Sequence, residues 1–202
     1  RVGCLLPLLA LSLAGCRKES GGEEQYVVGF SQMGHDNPWR MAQTASLREE
    51  AAKRGYELVV TDAQDQTAKQ VADVEDLIAR RVNLILLAPR EFEGLAPALQ
   101  SAKQANIPVI LVDREAAGSA GSDYVTFLGS NFVQQGQRAA DWLAQATGGN
   151  ARIVELTLTP GSSVARDRAA GFREAMAKHP GMTIVASQTG NASRAQGEKV
   201  MQ

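Results

Sequence analysis

Cysteine and histidine are nearly absent, with two of each in 202 residues and no Cys-x-x-Cys or His-x-x-x-His spacing. That scarcity argues against a structural zinc site and a disulfide framework. Neither sign of charge is in excess, since 21 basic residues face 22 acidic ones. A surface so balanced offers no phosphate neutralisation, and nucleic acid is not an expected partner. No G-x-G-x-x-G follows the first strand and no G-x-x-x-x-G-K-[ST] occurs, so nucleotide cradling lacks its usual loops. No cofactor is expected. Aromatics make up only 5% of the chain, which makes each one near a loop more informative.

The one strongly apolar run, Leu5 to Leu13, is too short to span a bilayer as a helix and suits a signal-peptide core. It follows Arg1 and ends in Leu13-Ala14-Gly15-Cys16, which resembles the bacterial lipobox. Residues 1–16 are therefore expected to be a lipoprotein signal peptide, with the Cys16 thiol carrying lipid such as palmitate. Residues 17–25 are charged, glycine-bearing and without apolar period, and read as a flexible tether. Acyl chains contribute about 0.8 kcal/mol per buried methylene, so two or more would hold the protein on a membrane.

From Tyr26 the chain alternates short β-branched runs with amphipathic stretches. Strands are expected at Tyr26–Phe30, Glu57–Asp62, Asn83–Leu87, Pro108–Val112 and Tyr124–Gly129, separated by helices at Pro38–Arg54, Gln66–Arg80 and Gly94–Gln104. Met41, Ala45, Leu47, Ala51 and Ala52 are assigned to the apolar side of the first helix. Asn131 followed by Gln134 is an N-cap pair that restarts the pattern. Strict alternation calls for an α/β fold with parallel sheets. One α/β unit is expected over 26–129 and a second over 130–202. The second holds two strands and three helices and is expected to be incomplete in this stretch of sequence.

Chemistry concentrates after the strands. Val109-Ile110-Leu111-Val112 reads as a strand covered on both faces, and it stops on Asp113-Arg114. In open α/β sheets, ligands collect beyond the carboxyl ends of strands. An acid that accepts several bonds beside a five-donor fork is a clamp suited to vicinal hydroxyls of a sugar. The loop after the first strand ends in Asn37-Pro38-Trp39-Arg40 at the same sheet edge. Trp39 offers a flat face to a sugar ring, and Arg40 reaches its oxygens. In the second unit Arg166 and Arg168 lie two apart on one helix, so only one can face a cleft. Trp142 sits mid-helix and reads as core. His35 has no Ser, Cys or Glu at a spacing that would make it a base, no nucleophile–base pair assembles, and the chain is not expected to be an enzyme.

Taken in order, Gly29-Phe30-Ser31-Gln32 with Trp39-Arg40, Ile107-Pro108-Val109 leading to Asp113-Arg114, Ser163-Val164-Ala165 leading to Asp167-Arg168-Ala169-Ala170-Gly171-Phe172, and Ser187-Gln188 carry a family likeness. The chain resembles the sugar-binding proteins of bacterial ABC importers with the type I periplasmic-binding fold, the ribose- and galactofuranose-binding group. The Trp-Arg pair is most like the galactofuranose-binding members. The resemblance implies two lobes closing on a monosaccharide, galactofuranose- or ribose-like. Its ligand residues would be Asn37, Trp39, Arg40, Asp113, Arg114 and Arg168, and Ser130-Asn131 would be a hinge crossing. It further implies an extracytoplasmic, lipid-anchored monomer working with a membrane permease and its ATPase subunits. A sugar sensor for a chemoreceptor or histidine kinase is the alternative. The family's aromatic after Gln188 is replaced here by Thr189-Gly190-Asn191, which removes one stacking contact.

Overall fold

A computed structural model describes residues 25–202. The stretches expected to be leader and tether, Gln25 excepted, and Cys16, expected to be the lipid acceptor, lie outside the described residues.

The chain folds into β1 (Val27–Gln32), α1 (Pro38–Arg54), β2 (Glu57–Asp62), α2 (Thr67–Ala79), β3 (Leu84–Leu87), α3 (Ala96–Gln104), β4 (Val109–Val112) and β5 (Thr126–Leu128). These are followed by α4 (Phe132–Thr147), β6 (Asn150–Thr157), α5 (Ser163–Met176), β7 (Gly181–Thr189) and α6 (Arg194–Met201). The first five strands form one parallel sheet in the order β2-β1-β3-β4-β5, and β6 pairs in parallel with β7 in a second.

Capping residues set the helix limits. Asn37 accepts from Arg40 N at 3.0 Å and Pro38 occupies the first turn of α1, while Gly55 ends it in the left-handed region at φ 70°. Asn131 caps α4 by accepting from Gln134 N at 2.9 Å, and Ser162 does the same for α5. The main core lies where α2 and α3 cover β3 and β4. Leu77, Ile85, Leu87, Leu95, Ala98, Ala102 and Leu111 are essentially inaccessible there. A Cβ at Gly29 would lie 2.9 Å from Leu77 Cδ1, so the bare backbone of β1 is what lets α2 seat closely.

Four apolar assignments fail, at Met41, Ala45 and Ala52 on α1 and at Trp142 on α4, all of them exposed. Met41 on α1 is 59% exposed, and the buried residues of that helix are Arg40, Thr44 and Ala51. Trp142 is 68% exposed on α4, whose buried residues are Phe132, Gly136, Ala140 and Ala144. On α4 the cause is a pair of glycines. A Cβ at Gly136 would fall 2.1 Å from Arg168 O, and one at Gly171 would fall 2.0 Å from Val133 O. Backbone-to-backbone approach at that point puts the small-residue face of α4 inward and leaves Trp142 out.

The order β2-β1-β3 places a reversal of winding direction between β1 and β3. The crevice beyond the carboxyl ends of strands at such a point is where α/β sheets take ligands.

Candidate functional site

Three segments converge on that crevice. The loop leaving β1 delivers Asn37, Trp39 and Arg40, the turn leaving β4 delivers Asp113 and Arg114, and α5 brings Arg168 from the second sheet unit. All six line a single cavity of about 350 Å³. Phe132, Leu158, Val164, Ala192 and Pro38 complete its wall. These apolar members carry no polar signal in the sequence. Pro38 comes with the first turn of α1, Phe132 with α4, Leu158 with the loop after β6, Val164 with α5, and Ala192 with the segment after β7. A second, larger groove of about 440 Å³ follows β6. Its only charged linings are Glu155 and Arg168, so it is a weaker candidate for polar recognition.

Asp113 is held in an unusual backbone. Its φ is +67°, and Arg114 N donates back to Val112 O at 2.8 Å, closing a three-residue γ-turn around it. Asp113 N donates to Leu128 O at 2.8 Å, which ties the turn to β5. Positive φ is uncommon outside glycine and tolerated best by Asp and Asn.

Electrostatics follow from burial. Arg40 is 3% exposed and Arg114 5%. Arg40 Nη2 donates to Asp113 Oδ2 at 2.7 Å, while Arg114 Nε lies 3.8 Å from the same oxygen, too far for a hydrogen bond. Desolvation lowers the Arg40 pKa, and the Asp113 carboxylate opposes it. Arg114 is pushed down to about 10 by burial and then by the neighbouring Arg40 charge, again against Asp113. Arg168 is lowered by burial as well, and feels Asp113 across the cavity.

Arg114 Nη1 donates to Arg90 O at 2.8 Å and Nη2 to Thr159 Oγ1 at 3.5 Å, whereas its buried Nε has no partner among the described residues. A buried guanidinium N–H without an acceptor is costly unless something arrives to accept it. Asn37 Oδ1 is engaged in capping α1, so its amide nitrogen, 3.5 Å from Asp36 Oδ1, is the group left to a ligand. Trp39 is 56% exposed at the cavity mouth with Arg40 Cζ 5.0 Å from its ring, which rules out a core-anchor role.

The pair on α5 is resolved by contact. Arg168 faces the cavity, its Nε donating to Gln135 Oε1 at 2.9 Å and its guanidinium lying 4.9 Å from the Phe132 ring. Arg166 turns away, stacks 4.2 Å over Phe92 and pairs with Asp167 and Glu115. Ser130 and Asn131 lie on the link from β5 to α4. Among the described residues, no three His, Cys, Asp or Glu side chains are grouped to hold a metal ion.

A periplasmic binding protein domain family matches residues 28–202. The chain belongs to the periplasmic binding protein family. Its relatives include the galactofuranose-binding protein YtfQ of Escherichia coli K12, 39% identical over 177 residues, or 87% of this chain and 56% of that protein. The ribose import binding protein RbsB of the same strain is 37% identical over 167 residues, 83% of this chain and 55% of that one. Among solved structures, the binding component of the arabinose ABC transporter from Shewanella sp. ANA-3, bound to α- and β-L-arabinofuranose, superposes with a TM-score of 0.83. It is 40% identical, over 87% of this chain and 58% of that one. The chain thus has the type I periplasmic-binding α/β fold and spans about half the length of the curated relatives it matches.

Proposed function

We propose that this chain is the ligand-capturing part of an extracytoplasmic sugar-binding protein that delivers a monosaccharide to an ABC importer, without catalysis. The observation that carries the reading is Arg114 Nε. Among the described residues it is a buried donor without a partner, 3.8 Å from Asp113 Oδ2, on a side chain lining a cavity whose N–H donors suit hydroxyl and ring oxygens and whose Asp113 carboxylate accepts from hydroxyls. The Trp39 face supplies the apolar complement that a sugar ring needs. The relatives' names favour a five-membered ring, since one is called galactofuranose-binding and one holds arabinofuranose.

Capture proceeds by closure of the units around the link at Ser130-Asn131. A ligand that accepts from Arg114 on one side and Arg168 on the other makes its full set of bonds only when the units are shut, and so shifts an existing balance. The six cavity residues Asn37, Trp39, Arg40, Asp113, Arg114 and Arg168 are the binding set. Cys16 carries the lipid that keeps the protein at the membrane, as a monomer beside its permease.

Thermal unfolding of the full-length protein against L-arabinose, D-galactose and D-ribose tests the reading. At least one sugar should raise the melting temperature in proportion to the logarithm of its concentration. No shift with any monosaccharide at millimolar concentration would sink it. Replacing Cys16 with serine should move the protein from the membrane to the soluble fraction.

A further inference from the structure

Arg40 and Arg168 enter the cavity from opposite units, and each is oriented from behind by an amide. Gln43, one turn along α1, accepts from Arg40 Nη1 at 3.0 Å. The same oxygen accepts from Gln32 Nε2 at 3.0 Å, and Gln32 is fully buried with its own oxygen on Met33 N, so the acceptor has a fixed position. In the second unit, Gln135 Oε1 accepts from Arg168 Nε at 2.9 Å. Neither Gln43 nor Gln135 lines the cavity.

The chemistry of the acceptor matters. An amide oxygen fixes the plane of a guanidinium without cancelling its charge. A carboxylate in its place would take two parallel N–H bonds and engage a terminal nitrogen as well as Nε. At Arg168 that second bond would remove an N–H that has no partner among the described residues. At Arg40 it would compete with Asp113 for the fork.

We propose that Gln43 and Gln135 are positioning residues for ligand capture, neutral acceptors that aim the two guanidiniums while leaving their charge and outer N–H groups to the bound molecule. The nature of that molecule rests on the sugar-binding reading; the arrangement of glutamine and arginine does not. Among the described residues, Asp113 is then the one full counter-charge in contact with the cavity arginines, a division of labour that a single neutral ligand can use on both sides at once.

The test uses the full-length protein with Gln135→Met, which keeps the shape and deletes the acceptor, and Gln135→Glu, which keeps the acceptor and adds charge. Arginine side-chain NMR on the sugar-free protein reads the geometry: the Arg168 Nε–H should exchange about tenfold faster in Gln135→Met than in wild type. Titration with L-arabinose and D-galactose reads the consequence. Gln135→Met should bind about tenfold more weakly at any pH. Gln135→Glu should be weaker at pH 7.5 and approach wild type as the pH falls toward 4 and the new carboxylate is neutralised. Unchanged Nε–H exchange in Gln135→Met, or wild-type affinity in both variants at pH 7.5, overturns the proposal. A wild-type protein that binds no monosaccharide, D-ribose included, refutes the sugar reading instead, and the exchange comparison still decides the positioning role.

Discussion

Arg40 Nη2 and Asp113 Oδ2 stand 2.7 Å apart, joining the first turn of α1 to the turn after β4 across 73 residues of sequence. The Arg40 side chain is 4% exposed and that of Asp113 16%, so the pair is shielded from most of the solvent that weakens surface ion pairs. It fixes the floor of the cavity before any ligand arrives.

Asp113→Asn isolates the charge from the shape. Asparagine tolerates the φ of +67° as aspartate does, so the γ-turn should survive. What is lost is a charge-assisted bond to Arg40 and the counter-charge beside Arg114, worth roughly 1.5–3 kcal/mol. Calorimetry should show sugar affinity reduced about ten- to a hundredfold. Undiminished affinity would remove Asp113 from the binding set.

Several bonds between the two sheet units do not involve a ligand. Phe92 N donates to Gly161 O at 2.8 Å, and Glu115 N donates to Ser163 Oγ at 2.9 Å. In the proposed closure these bonds would favour the shut arrangement, and the apparent affinity for a ligand scales with the fraction of molecules already competent to hold it. Ser163→Ala deletes the second bond, a change of about 0.5–1.5 kcal/mol. Stopped-flow release should be about two- to tenfold faster with little change in the association rate. An unaltered release rate would show that the contact does not bias closure.

Gly136→Ala places a methyl group 2.1 Å from Arg168 O, and the obstacle is backbone that cannot swing aside. The helices α4 and α5 must part, at a cost of roughly 1–3 kcal/mol in urea unfolding. Since Arg168 rides on the displaced segment, sugar binding should weaken in the same variant. Unchanged stability would mean that the two helices have slack at their crossing.

Asp65 supplies a pH signature. Burial raises its pKa and the nearby Asp36 raises it further, with Arg90, Arg114 and Arg40 opposing. A carboxyl that titrates higher when folded gives the folded state extra protons. Its contribution to stability is fully present below the unfolded pKa and is lost as pH rises through the folded one. Asp65→Asn, permanently neutral and at ease with φ +59°, should therefore melt above wild type at pH 7. The gap should close as pH falls below the ordinary aspartate range. A gap independent of pH would assign the effect to the backbone alone.

The sequence by itself determined the alternation of strands and helices, because each element is written in a local period: Val109–Val112 in branched residues, α2 in Val71, Val74, Leu77 and Ile78. It also marked Asp113-Arg114 and Trp39-Arg40, since polar residues at a strand's carboxyl end and an aromatic opening a helix stand out against apolar neighbours. Long-range packing alone chose which face of each helix turns inward and which distant groups meet. Met41 and Trp142 had apolar character enough for a core, yet a buried Arg40–Asp113 pair claimed the inner face of α1, and the Gly136–Gly171 approach claimed that of α4. The choice of Arg168 over Arg166 depends on contacts that cross the two units, since Arg166 is drawn onto Phe92 and Glu115, whereas the left-handed turn at Asp113 is held by β5 and the apolar wall of Phe132, Leu158 and Val164 by packing within the second unit. Local periodicity sets backbone conformation over a few residues, whereas side-chain direction at a cleft is fixed by partners dozens of positions away.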